Sequence, residues 1–330
     1  MRITRETLLK IARDTVAQRR RDNRALVGVY LRGSLLGEQF LLGGTTDIDL
    51  VFIHEGQPPQ AREIVRLTDA IHLDIEHHAR REYTNPRELR VHPWLGPTLF
   101  YCQILHDPQH FLDFTQASIR GQFDTPEHIW QRAYPQLTRA RQNWLGLQMS
   151  SPENAVTMMQ AYLDLLQDAF GALLSLTGGL LPTRRLLLDL PARVQALGMP
   201  HFAGGLLKLL GAPALTSKTI VDWIPTWQRA FEGARALNLH PARLEYYRAP
   251  LQELANSPQP ASALWLLLRT WTEAASGSTP SAELMQEWQN ACGYLNLDES
   301  TWATRLDQMD VLLDEIEEFL ETWGKRNGLI

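Results

Sequence analysis

The chain has 330 residues, long enough for about two domains, and its 44% hydrophobic and 21% charged residues exclude a disordered polymer. A net charge of −5 and a pI of about 6.1 argue against a long nucleic acid as main partner, since binders of the phosphate backbone carry a basic excess. Cys102 and Cys292 form no Cys-x-x-Cys, which excludes a disulfide framework or a zinc knuckle.

The N-terminus, Met1-Arg2-Ile3-Thr4-Arg5, lacks the apolar core of a signal peptide. The apolar run from Ala263 to Leu268 stops at Arg269, too short to cross a bilayer. The expected home is a reducing cytoplasm, with no membrane partner. Basic residues are nearly all Arg, with Lys only at Lys10, Lys208, Lys218 and Lys325. The forked guanidinium suits phosphate recognition, although genomic composition explains the bias equally well.

Residues 1–24 read as a polar, Arg-rich amphipathic helix with Ile3, Leu8, Leu9, Ile11, Ala12 and Val16 on its apolar side. Strand signatures follow at 26–32, 48–53 and 71–78, separated by breaks such as Gly43-Gly44 and Gly56-Gln57-Pro58-Pro59. The stretch Ala61–Ala70 reads as a crossover helix between the second and third strands. Past Gln122 the strand signal fades. Thr125-Pro126-Glu127 and Ser151-Pro152-Glu153 each combine a hydroxyl cap, a proline in the first turn and an acid, which predicts helix starts. The helix from Pro152 sets Val156, Met159, Tyr162, Leu163, Leu166, Phe170 and Leu173 on one face and ends at Gly178-Gly179. Further helices are expected over 183–197, 203–211, 218–236, 241–256, 261–275, 280–292 and 300–324. The last carries Asp314, Glu315, Glu317, Glu318 and Glu321, read as a solvated acidic face. The expectation is an α+β chain: a small mixed-sheet catalytic domain over 1–118, then an all-helical substrate-binding domain over 119–330.

The first strand, Val27-Gly28-Val29-Tyr30-Leu31, runs into Arg32-Gly33-Ser34, and twelve residues separate Ser34 from Asp47-Ile48-Asp49. Strand alternation puts Asp47 and Asp49 on one face, about 6.6 Å apart along the backbone. Such a pair can hold two divalent ions about 3.5–4 Å apart, as two-metal phosphoryl transfer requires. Mg²⁺ is the expected ion, because it prefers hard oxygens and shares its shell with phosphates. Asp74 and Glu76 share a face of the third strand, and either can supply a third carboxylate. Asp74 is preferred, flanked by Leu73 and Ile75. Gly33 lets the backbone approach a phosphate, and Ser34 can donate to its oxygens. A helix starting at Ser34 would add its positive end. Thr45 and Thr46 can support this loop.

This arrangement resembles the DNA polymerase β-like nucleotidyltransferase superfamily, whose signature is apolar-Gly-[Gly/Ser], a spacer of about nine to thirteen residues, then Asp-x-[Asp/Glu]. The residues that match are Leu31-Arg32-Gly33-Ser34 and Thr46-Asp47-Ile48-Asp49-Leu50, with the superfamily's later acid mapping to Asp74; together they span roughly residues 26–80. Arg32 departs from the pattern, since an apolar residue is more usual there. The helical remainder is similar in kind to the companion domain of aminoglycoside-modifying and related bacterial nucleotidyltransferases. The resemblance implies metal-dependent transfer of a nucleoside monophosphate from an NTP to a hydroxyl, with release of pyrophosphate.

Arg32 can point toward the phosphates, and Arg184 or Arg185, at a predicted helix start, can neutralise a triphosphate; exposed or solvated arginines are the bland alternative. Seven of the ten histidines lie in the α/β region: His54, His72, His77, His78, His92, His106 and His110. A His/Asp metal site there has no helical His-x-x-x-His pair or Cys partner behind it, so rings on strand ends and loops are the favoured reading. Trp223, Trp227, Tyr246, Tyr247, Trp265 and Trp271 fall at helical spacing and read as core. Three functions are consistent with these residues. The leading one nucleotidylates a small hydroxylated molecule; the others are nucleotidylation of a protein or RNA end, and a non-catalytic, antitoxin-like nucleotide-binding module.

Overall fold

A computed structural model describes residues 3–149, 152–277 and 281–330. It is an α+β chain in two compact units, Met1–His128 and Ile129–Ile330. The division falls after His128, beyond the expected position 118.

The first unit starts with α1 (Arg5–Asp22), capped by the Thr4 side chain, which accepts from the Thr7 amide. Five strands follow: β1 (Leu26–Arg32), β2 (Thr46–His54), β3 (Arg62–Arg66), β4 (Ile71–Ala79) and β5 (Gln103–His106). Their order across the sheet is β3-β4-β2-β1-β5. Only β2 and β4 pair in parallel; the other neighbours are antiparallel. Short helices α2 (Pro86–Val91) and α3 (Leu95–Tyr101) and the longer α4 (Phe111–Arg120) complete the unit.

Both faces of the sheet are covered, which is why the central strands read as near-continuous apolar runs. On one face Leu8, Ala12 and Val16 of α1 pack with Val29, Leu31, Ile48, Leu50, Leu73 and Ile75. Each of the valines, leucines and isoleucines contributes about 1.5–3 kcal/mol by leaving water. On the other face Val27, Tyr30, Val51 and Ile53 meet Leu89, Leu99, Leu112 and Ile119 from α2, α3 and α4. A Cβ at Gly28 would lie 2.9 Å from Leu112 Cδ1 and 3.0 Å from the Phe111 ring, so a larger residue there requires these α4 side chains to shift.

Ala61–Ala70 is not a helix. It contains the edge strand β3, which turns through Leu67-Thr68-Asp69-Ala70 into β4, with the Ala70 and Ile71 amides donating to Thr68 Oγ1. Ile64 and Val65 are β-branched and favour an extended backbone, while Arg62, Glu63 and Arg66 give the open edge the charges that deter strand addition. The short edge strand β5 was not expected from the sequence either.

Nine helices are described from position 126 onward. They are α5 (Pro126–Met149), α6 (Ala155–Ser175), α7 (Leu186–Ala196), α8 (His201–Leu209), α9 (Ser217–Gly233), α10 (Leu244–Ala255), α11 (Leu264–Gly277), α12 (Ala282–Tyr294) and α13 (Trp302–Arg326). The cap of α6 is Asn154, whose side chain accepts from the Thr157 amide; the expected cap, Ser151, lies outside the described residues. Trp227, Trp265 and Trp271 are buried, as their spacing implies. The acidic face of α13 is partly paired rather than wholly solvated: Arg141 of α5 donates to Asp310, Asp314 and Glu317 at 2.5, 2.6 and 2.8 Å. No described helix is long and apolar enough to cross a membrane. Cys102 and Cys292 are free and buried.

Candidate functional site

The polar cluster sits where the C-terminal end of β1 meets the N-terminal halves of β2 and β4. Parallel register places Asp47 opposite His72, Asp49 opposite Asp74 and Val51 opposite Glu76. Because side chains alternate along a strand, Asp47, Asp49, His72, Asp74 and Glu76 all belong to one face. The intervening Ile48, Leu50, Leu73 and Ile75 anchor that geometry in the α1-facing core.

Asp47, His72 and Asp74 form the tightest group. One ligand atom from each lies within 4.8 Å of the others, and the residues are only 4%, 1% and 1% exposed. Charged and polar groups this deep are tolerated where they are paired or hold a cation. Two carboxylates and an imidazole are competent donors for a divalent ion. Asp74 is further fixed by Arg62 of β3, whose Nε donates to Oδ1 at 2.6 Å and Nη2 to Oδ2 at 2.5 Å. Such a fork sets the carboxylate plane and leaves lone pairs on both oxygens.

Asp49 closes against the bend after β1. Gly33 there has φ +81°, ψ −162°, and a Cβ at Gly33 would lie 1.9 Å from Asp49 Oδ2. Glycine is thus demanded twice, by backbone conformation and by the carboxylate beside it. Ser34 begins a single 3₁₀ turn, Ser34–Leu36, so the full helix considered for this position is absent and with it most of the helix-end charge. The Ser34 hydroxyl lies 3.3 Å from the Thr46 hydroxyl, and Thr45 Oγ1 donates to the Leu42 carbonyl, tying the bend and its loop to the start of β2.

Arg32 pairs in register with Asp49 across β1 and β2 and forms an ion pair with Glu76 at 2.5 Å. Burial works against its charge, but Asp49 and Glu76 outweigh burial and hold the guanidinium above the ordinary arginine value. Burial likewise opposes the Glu76 carboxylate. The hydrogen bond from His78 and the charges of Arg32, His78 and Arg62 prevail and bring its pKa to about 2. His78 Nδ1 lies 2.6 Å from Tyr83 Oη, which lies 3.0 Å from Tyr30 Oη, so a hydrogen-bonded row runs from Arg32 into the second core. Glu76 therefore serves Arg32 and His78 and stands outside the Asp47–His72–Asp74 group.

Arg184 and Arg185 belong to the helical unit. The Arg184 guanidinium stacks 3.6 Å above the Tyr246 ring and is buried, and Arg185 lies 3.7 Å from Asp189. Sequence reasoning did not single out Arg62 or promote His72. The sequence pattern places Arg62 in a helix, where its reach to Asp74 is invisible. The signal for His72 was alternation: His72, Asp74 and Glu76 fall on one face of a strand that pairs with the Asp47–Asp49 strand.

No protein-family model matches the chain, and no curated protein matches it.

Proposed function

We propose that the chain is a metal-dependent nucleotidyltransferase of the DNA polymerase β-like kind, moving a nucleoside monophosphate from an NTP to a hydroxyl of a small acceptor. The observation that carries this reading is that three motif acids share one face of adjacent strands, with one of them against the Gly33 bend. Asp47, Asp49 and Asp74 share a face of two adjacent parallel strands, and the Asp49 carboxylate closes on Gly33.

In this reading the acceptor oxygen bonds to the α-phosphorus, the bond from that phosphorus to its bridging oxygen breaks, and pyrophosphate leaves with the electron pair. The hydroxyl proton is released to water. Asp47, Asp49 and Asp74 would hold the divalent cations, whose charge would offset that developing on the transferred group. Gly33 lets the backbone approach the triphosphate, Ser34 donates to it, and Arg32, held by Glu76, contributes a fixed positive charge. Arg62 orients Asp74.

The test is pyrophosphate release from NTP with Mg²⁺ or Mn²⁺ across a panel of hydroxylated acceptors. Asp47→Asn and Asp49→Asn should each lower turnover by about three orders of magnitude or more, the scale on which loss of transition-state charge stabilisation acts, while circular dichroism stays unchanged. Full turnover in either folded variant overturns the metal assignment. Label appearing on a protein or RNA band instead of a small product would move the acceptor class.

A further inference from the structure

We propose that the Asp47–His72–Asp74 group is a mixed nitrogen–oxygen site that selects a first-row transition ion, Mn²⁺, Co²⁺ or Zn²⁺, over Mg²⁺, with His72 as a direct ligand. The inference shares with the proposed function only the premise that Asp47 and Asp74 hold a cation.

Three observations carry it. The first is geometric. His72 lies opposite Asp47 in the ladder and two residues before Asp74 on the same strand, so the backbone fixes all three on one face. Donors bound to one small ion at about 2.0–2.2 Å stand roughly 3–3.5 Å apart. The donor atoms lie within 4.8 Å of one another, so the three would have to draw together onto an ion.

The second is donor chemistry. Mg²⁺ favours an all-oxygen octahedron and keeps its waters, whereas imidazole nitrogen strengthens binding of the later first-row ions. An imidazole only 1% exposed and within reach of two carboxylates would take a coordination position that Mg²⁺ would fill with oxygen or water.

The third is charge. Arg62 sits on both oxygens of Asp74 and offsets one of the two negative charges in the group. A site that relied on electrostatics alone for a hard ion is weakened by that guanidinium. A site with a nitrogen bond is weakened less, and gains an Asp74 held in one orientation by its outer partner.

The experiment uses the full chain, stripped with a chelator and dialysed, with Mn²⁺ as probe. Electron spin echo modulation of the wild-type Mn²⁺ complex should show coupling to an imidazole ¹⁴N, and Mg²⁺ at equal concentration should leave that Mn²⁺ bound. Loss of an outer-shell partner alone costs about 10–100-fold in metal affinity, so His72→Gln should weaken Mn²⁺ by at least about tenfold and abolish the ¹⁴N coupling. Absence of nitrogen coupling in the wild-type protein overturns the proposal whether or not the variant folds. So does coupling that persists in His72→Gln, or displacement of Mn²⁺ by equimolar Mg²⁺. The nucleotidyl-transfer reading fails separately: a ¹⁴N-coupled site with no pyrophosphate release from any NTP retains the metal proposal, whereas Mg²⁺-supported release without ¹⁴N coupling retains only the enzyme.

Discussion

At Gly33 two constraints converge on one missing methyl group. Its φ and ψ lie in a region that essentially only glycine occupies, at a cost of about 1–3 kcal/mol for any other residue, and the space a Cβ needs already holds Asp49 Oδ2. Gly33→Ala must therefore strain the bend and push the carboxylate aside. The expected result is a stability loss of about 1–3 kcal/mol in urea titrations, with pyrophosphate release down about 10²-fold, the usual penalty for a catalytic group misplaced by an ångström. Unchanged turnover would show that the position of Asp49 is irrelevant to the reaction. Arg62 makes the opposite kind of contribution. Removing one partner from a buried ion pair leaves the other charge uncompensated, so Arg62→Met should cost about 3 kcal/mol, the lower end for such pairs because the guanidinium is partly exposed. Adding Asp74→Leu should recover most of that loss, because an apolar pair of similar volume removes the stranded carboxylate. A double-mutant cycle measures the coupling directly; additive losses would mean that Arg62 acts on something other than Asp74.

Between elements, the ion pair from β1 to β4 links Arg32 to Glu76 and, through His78, to the second core. Glu76 has a folded pKa of about 2 against an ordinary 4.5. Because the folded value lies below the unfolded one, its contribution is whole above about pH 4.5 and disappears as pH falls toward 2. Glu76→Gln should be less stable than wild type at pH 7, and the gap should close between pH 4.5 and 2 when unfolding is followed by denaturant at each pH. A constant gap would mean that the carboxylate is not what holds Arg32. The elements differ sharply in how much of them the sequence discloses. β1, β2 and β4 are buried on both faces, so their apolar runs are dense and their positions legible, and alternation alone predicts that Asp47, Asp49 and Asp74 emerge together. β3 has one partner and five residues, and its charges satisfy a helical period about as well as a strand. Its identity is decided by pairing with β4, a non-local fact. The same non-locality hides Arg62, whose function as the clamp of Asp74 exists only once β3 is placed. His72 is legible in the alternation, but a helical His-x-x-x-His pair is a signature of helices and not of a ladder of parallel strands, so its absence says nothing about this position.

Over the whole molecule, the motif acids and the tryptophans are segregated. The motif acids and His72 lie in the first unit, whereas nine of the ten tryptophans follow position 129, leaving only Trp94 in the first. Tryptophan fluorescence therefore reports chiefly on the helical unit and is a poor monitor of metal binding at the sheet. Amide hydrogen exchange resolves the two. A cation that binds only the folded site stabilises it by RT ln(1 + [L]/Kd), about 2.7 kcal/mol at a hundredfold excess over Kd. Amides of β2 and β4 whose exchange requires opening of the site should then slow by up to about a hundredfold. Helices α6 and α11 are built around Met159, Leu163, Leu166, Phe170, Trp265 and Trp271, all buried within the second unit. Their amides draw protection from that core and should keep their rates when the metal is added. Slowing confined to the sheet would place the bound ion among the strand carboxylates. Equal slowing in α6 and α11 would mean that the chain opens as one cooperative body, and no change in β2 would mean that the cation binds elsewhere.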